Sequence, residues 1–133
     1  MTTAALWSTF CSLSCTEEAA ATAVSRAVTL VATASVKQDA LARDGAAYIL
    51  STDDSVRSRA VQFLAQVIDG LPRHVMQASE GSVWLSFFIA KLSDEACARH
   101  SLHALAAVCS ADCAVSIDSI AELPLRICDI IHV

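Results

Sequence analysis

Apolar and polar positions alternate along the chain with the spacing of amphipathic helices. After Ser55, apolar residues recur three or four positions apart as far as Ile68, while Arg57 and Arg59 face elsewhere. The same spacing predicts helices over about 16–34, 36–50, 55–69, 82–92 and 95–109, with two more beginning near 111 and 127. The chain therefore predicts an all-α fold.

Caps and breakers set the expected helix boundaries. Thr16 and the cluster Ser51-Thr52-Asp53-Asp54 are each predicted to begin a helix. Their hydroxyl and carboxylate oxygens can accept hydrogen bonds from the first free N–H groups of the helix. Gly45 is expected to weaken or bend the helix over 36–50. Residues 1–15 show weak periodicity, so we expect a short helix or a frayed terminus of weak order there.

Two later helices differ in how much of their surface is apolar. The helix over 82–92 is apolar nearly all round, so it must be covered on more than one side. Trp84 and Phe88 either pack inside or mark an exposed groove, and we favour packing. The helix over 95–109 has a narrower apolar stripe made of Ala98, Leu102, Leu105 and Cys109.

One segment of the chain recurs after 41 residues, measured from Asp53 to Asp94. Residues 50–68 (LSTDDSVRSRAVQFLAQVI) and 92–109 (LSDEACARHSLHALAAVC) each contain a leucine that closes a helix, an acidic turn and a new amphipathic helix. Such a period is typical of HEAT and armadillo repeats, whose hairpins stack because one alone cannot bury its apolar face. The residues that carry this signature are Leu50, Asp53, Val56, Arg57, Ala60, Leu64, Leu92 and Asp94.

The repeat predicts a HEAT/armadillo-like α-α superhelix, with antiparallel helical hairpins stacked as a short solenoid. We divide the chain into an N-terminal segment, 1–15, and helical repeats over 16–133. The repeats comprise 16–50 with 51–70, a second unit over 82–110, and a truncated third over 112–133. The chain ends in an apolar stretch at Val133 without a polar closing face, so we expect it to be a fragment of a longer array.

Composition narrows the classes of function. The net charge of −5 disfavours a surface that binds nucleic-acid phosphates. The three glycines and two prolines are too few for a β-sandwich or barrel. No uncharged apolar run reaches the roughly 18 residues that span a bilayer, and the first residues lack a basic leader. We therefore predict a soluble intracellular protein whose six cysteines are reduced, with Cys97, Cys109 and Cys128 at apolar positions.

The segment Val56–Val67, VRSRAVQFLAQV, resembles the first HEAT unit of the Mms-nineteen family. Trp84–Phe88, Lys91–Asp94 and Leu102–Leu105 are similar to the next hairpin, and the resemblance covers about residues 40–133. Family members are long scaffolds of cytosolic iron–sulfur protein assembly, with ties to nucleotide excision repair and RNA polymerase II transcription.

The resemblance implies roles for individual residues. The acids Asp53 and Asp94 would cap the second helix of each repeat, and Arg57 would form an interhelix ladder with acids of neighbouring repeats. The second copy has Cys97-Ala98 where Val-Arg is expected, so a ladder contact there depends on Arg99.

The resemblance also implies a non-catalytic scaffold that helps deliver iron–sulfur clusters to client proteins of DNA repair, replication and transcription. Its partners would be the assembly complex and these clients, in the cytoplasm and nucleus, with no direct contact to nucleic acid or membrane. The alternatives are an unrelated HEAT adaptor of transport, chromatin or phosphatases, and a small helical metal or redox protein.

Candidate chemistry is sparse. Cys11 and Cys15, Cys109 and Cys113, and His100 and His103 have spacings that place two side chains on one helix face, as metal sites require. Paired CxxC motifs, which are typical of zinc sites, are missing. We therefore favour a packing role for the cysteines and a surface position for the histidines, and we predict no catalytic, cofactor-binding or metal-binding residues. Arg57 and Arg59 either contact the acidic surface of a partner or serve as ladder and solvent-facing residues.

Overall fold

A computed structural model describes residues 2–111, and all regular structure in that range is helical. The predicted helices that begin near 111 and 127 lie outside the described residues. The helices are α1 (Thr3–Cys11), α2 (Glu17–Ala32), α3 (Gln38–Asp44), α4 (Ala46–Ile49), α5 (Asp54–Gly70), α6 (Ala78–Lys91) and α7 (Glu95–Ser110).

Helix α5 lies at the centre of the described fold. It packs against α1, α2, α4 and, most extensively, α7. Helix α6 packs on α7, and α1 packs on α2 and α3. The two copies of the repeated segment therefore form α3/α4 with α5 and α6 with α7, and they stack through α5 and α7, as expected for HEAT-like repeats.

Side chains cap most of these helices. Asp53 accepts hydrogen bonds from the backbone N–H groups of Ser55 and Val56, and Asp94 accepts one from Ala96. Thr2 and Thr16 cap α1 and α2 in the same way. Helix α6 begins at Ala78, earlier than predicted, and Glu80 accepts a hydrogen bond from the Gln77 N–H at 3.1 Å.

Helix α1 is the short helix that was one of the two alternatives expected for residues 1–15. Leu6, Trp7 and Phe10 are fully buried on one face of this helix. The Phe63 ring of α5 lies 4.7 Å from the Trp7 ring and 5.0 Å from the Phe10 ring, measured between centroids. A short helix with three large apolar side chains is ordered because another helix covers them.

Gly45 divides the predicted second helix into α3 and α4, because the Trp7 indole lies directly against it. The indole N–H of Trp7 donates to the Leu41 carbonyl at 2.8 Å, which fixes the ring over this point. A Cβ on residue 45 would overlap the ring atoms of Trp7. Glycine is needed here for close approach, since its φ of −96° is open to any residue.

We expect Gly45→Ala to destabilise the protein by about 1–3 kcal/mol, because the new methyl group overpacks the Trp7 site. Chemical denaturation of the full chain would measure the change. Trp7→Phe shortens the ring system, so the double variant Gly45→Ala with Trp7→Phe should lose less stability than the sum of the two single variants. Additive losses would show that the two residues do not compete for this space.

The end of α2 contains a conformation that disfavours alanine. Ala34 has φ of +60°, in the left-handed region. The Ser35 N–H donates to the Leu30 carbonyl at 2.9 Å, and the Ala34 N–H donates to the Val31 carbonyl at 3.0 Å. This pair of bonds is the Schellman motif, whose left-handed position is usually glycine.

Ala34→Gly should therefore stabilise the protein by about 1 kcal/mol, because glycine adopts this conformation without the steric cost borne by alanine. The matched control is Ala21→Gly in the exposed middle of α2, which should cost about 1 kcal/mol. Thermal and urea unfolding would measure the change in the free energy of unfolding of each variant, and we expect the two changes to have opposite signs. A loss of stability in both variants would contradict the left-handed conformation of Ala34.

Candidate functional site

The two repeat copies bury equivalent residues where their second helices meet. Ala60 and Ser101 are both fully buried, as are Val67 and Val108, and Leu64 and Leu105 are nearly so. The two members of each pair align when Asp94 is placed on Asp53. At a further aligned pair the burial differs, since Val56 is half-buried and Cys97 is fully buried. The hydroxyl of Ser101 has no hydrogen-bond partner among the described residues.

Other positions of the signature depart from the expected pattern. Leu92 is buried, but Leu50 is 75% exposed, and the neighbouring Ile49 is buried instead. Leu102 is 38% exposed and Cys109 is exposed, so the apolar stripe predicted for α7 is wrong at these two positions. The buried face instead consists of Cys97, Ala98, Ser101, Ala104, Leu105 and Val108.

Arg57 joins the two copies. Its Nε donates to Asp94 Oδ2 at 2.9 Å, and its Nη2 lies 3.4 Å from Asp94 Oδ1. The same guanidinium donates to the Ser51 carbonyl at 3.0 Å and forms an ion pair with Asp54. Asp94 therefore caps α7 and accepts from Arg57, which is the geometry of a ladder rung between neighbouring repeats.

The rung shifts the pKa of both partners in the direction that favours their charged forms. The hydrogen bond from Arg57 is the main cause that holds the pKa of the Asp94 carboxyl below its ordinary value, although partial burial acts in the opposite direction. The hydrogen bond to Asp94 likewise raises the pKa of Arg57. Arg99 is exposed and makes no ion pair among residues 2–111, so it does not extend the ladder there.

Arg59 is also engaged within the chain. Its Nε and Nη2 donate to the Phe10 carbonyl at 3.1 and 2.7 Å, and the guanidinium lies 4.6 Å above the centre of the Phe10 ring. A cation at the last carbonyls of α1 is favourable because these groups have no partner within the helix. The structure thus gives Arg57 and Arg59 intramolecular roles, where a partner contact was the alternative interpretation.

Replacing Arg57 should make Asp94 easier to protonate. Because the folded-state pKa of Asp94 is depressed, its contribution to stability is present above about pH 3.9 and is lost as the pH falls through the folded-state value. We expect Arg57→Met to raise the pKa of Asp94, as measured by NMR titration of its carboxyl carbon. Arg59→Met is the control and should leave the pKa of Asp94 unchanged. Equal pKa values of Asp94 in the wild type and in Arg57→Met would contradict the rung.

The cysteines fall into two environments. Cys11 and Cys97 are buried, and burial is the main cause that raises the pKa of each thiol to about 11. Cys109 is exposed, contrary to the sequence expectation, and Cys15 is half-buried. Within residues 2–111 no three His, Cys, Asp or Glu side chains converge as metal ligands, and Cys113 lies outside the described range.

Alkylation should distinguish these thiols. In native protein treated with iodoacetamide near pH 8, we expect Cys109 to react at least ~10-fold faster than Cys97, because reaction requires an accessible thiolate. Peptide mapping by mass spectrometry would give the rate at each position. In urea the two rates should converge, whereas equal rates in the native protein would contradict the burial of Cys97.

A groove separates the first helices of the two copies, α3/α4 and α6. Its volume is about 360 Å³. Gln38 lines this groove, and its Oε1 accepts a hydrogen bond of 2.7 Å from the Trp84 indole N–H. No local pattern connects this pair, because the two residues are 46 positions apart. The residues that line the groove are Gln38, Asp39, Ala42, Ile49, Leu64, Ser79, Glu80, Val83, Trp84 and Phe87.

The stacked hairpins, the capping acids and the rung define an α-helical repeat protein of the HEAT-like kind. Its sequence matches the model of the MMS19 N-terminal family, described as "Dos2-interacting transcription regulator of RNA-Pol-II", over residues 44–132, and the chain belongs to this family. Searches found no match among curated proteins or solved structures. The family match begins at the end of α3, so α1 and α2 precede it.

None of the helices within residues 2–111 is both long enough and apolar enough to cross a bilayer.

Proposed function

We propose that this chain is part of a non-catalytic protein-interaction scaffold, the N-terminal region of an Mms-nineteen-type factor that helps deliver iron–sulfur clusters to client proteins. The observation that carries the proposal is the family match over residues 44–132, which includes α5 and α7, the two helices joined by Arg57 and Asp94. Stacked repeats supply extended surfaces for other proteins, which supports a role in docking.

The proposed mechanism needs no reacting group in this chain. The scaffold would hold a client of DNA repair, replication or transcription beside the iron–sulfur assembly complex, with the clusters as cargo. The description of the family refers to RNA polymerase II transcription, which supports clients in the nucleus. We accordingly propose action in both cytoplasm and nucleus, without direct binding to nucleic acid or membrane.

A binding measurement tests this proposal. The purified chain is mixed with a purified iron–sulfur protein of nucleotide excision repair from the same species, and the complex is followed by sedimentation velocity and calorimetry. We expect a complex of defined stoichiometry and no stoichiometric zinc or iron in the chain itself. The same client without its cluster-binding domain is the control for specificity.

Two results would contradict the scaffold role. One is the absence of a complex with every iron–sulfur client tried, including those of replication and transcription. The other is stoichiometric zinc or iron in the purified chain, which would favour the small metal or redox protein instead.

A further inference from the structure

The groove between α3/α4 and α6 presents an apolar wall at the protein surface. Val83 on α6 is 67% exposed, although it is a large aliphatic residue in a helix whose other apolar side chains are largely covered. Trp84 and Phe87 lie beside it, and Ile49 and Leu64 form part of the opposite lining. An exposed apolar side chain beside a concave apolar wall is typical of a docking site for a side chain of another molecule.

Gln38 adds an unused hydrogen-bond donor to this groove. The residue is only 6% exposed, and it lines the groove. The Trp84 indole N–H can only donate, so the Gln38 atom that accepts from it is the carbonyl oxygen, and the amide NH₂ is therefore identified. This NH₂ group donates no hydrogen bond to another described residue, yet it is not one of the buried polar atoms that lack a partner. It therefore reaches solvent, and an incoming carbonyl oxygen can accept its hydrogen bond in place of water.

The charged residues of the lining are acidic. They are Asp39 and Glu80, and no basic residue lines the groove in the described part of the chain. The Asp39 carboxylate is 70% exposed, and its ion pair with Arg43, at 3.4 Å, is an exposed pair of the weak kind. Glu80 uses Oε1 to cap α6. The second oxygen of each carboxylate, Asp39 Oδ1 and Glu80 Oε2, accepts no hydrogen bond among residues 2–111 and is available to a cation.

We propose that this groove binds a short segment of a partner protein that carries a large apolar side chain next to a lysine or arginine. The apolar side chain packs on Val83, Trp84 and Phe87, the cation lies near Asp39 and Glu80, and a main-chain carbonyl accepts from the Gln38 amide. This inference rests on the proposed scaffold role, since it names the chemistry of one partner site.

The acidic charge of the groove favours another protein as its occupant over the C-terminal segment of this chain or a second copy of it. Residues 112–133 contain four acids, Asp112, Asp118, Glu122 and Asp129, but only one arginine, Arg126. A second copy of the chain carries a net charge of −5. Both are poor occupants of an acidic groove, because like charges at an interface disfavour association.

The test uses a phage-displayed library of random decapeptides selected on the full-length chain. Enriched peptides should contain a large apolar residue within a few positions of lysine or arginine. Their binding, measured by fluorescence anisotropy, should weaken about tenfold or more in Val83→Lys, which replaces an apolar contact and repels the cation. Leu50→Lys is the matched control, since Leu50 is equally exposed but lies outside the groove, and it should bind as wild type does.

A second pair of variants tests the acidic rim. Asp39→Asn should weaken the selected peptides, whereas Asp69→Asn, which also removes an exposed acid but lies outside the groove, should not. The proposal is overturned by enriched peptides without basic residues, by no enrichment over the Val83→Lys chain, or by a synthetic 112–133 peptide that binds the groove. Self-association that Val83→Lys abolishes would overturn it as well.

The groove and the scaffold role can fail separately. Client binding that persists in Val83→Lys, together with no peptide enrichment, would reject the groove and retain the scaffold. Enriched peptides that depend on Val83, together with no client complex, would retain the groove and reject the iron–sulfur role.

Discussion

The burial of α5 on more than one side is the constraint on which the rest of the described fold depends. Helices α1, α2, α4 and α7 all pack against it. At its contact with α7 the small residues Ala60 and Ser101 occupy equivalent, fully buried positions, which lets the two helices approach closely. Because each copy of the repeat lacks a closed core of its own, this contact joins the two copies into one unit.

Polar contacts set the register of this stack. Arg57 reaches from the first turn of α5 to the cap of α7, and Arg59 reaches from α5 to the last carbonyls of α1. Each arginine satisfies groups at the end of a neighbouring helix, which apolar packing alone would leave unpaired. The helices are thus held at their ends by polar contacts and along their lengths by apolar ones, while the groove beside α6 remains open.

The sequence predicted what depends on local pattern and missed what depends on distant residues. Caps at Thr16, Asp53 and Asp94 and the 41-residue repeat located α2, α5 and α7 closely. The sequence left a short helix and a frayed terminus both open for residues 1–15, because the burial of α1 depends on the distant residue Phe63. The exposure of Leu50 was not predicted. The groove could not be predicted either, since the bond between Gln38 and Trp84 has no local signal.

Native-state hydrogen exchange on Ala60→Val tests the central role of the α5–α7 contact most directly. The added methyl groups overpack a fully buried position and should destabilise the protein by about 1–3 kcal/mol. If the two copies form one unit, amide protection in α7 should fall by the same free energy as in α5. Protection that falls in α5 while α7 keeps its wild-type value would contradict the account.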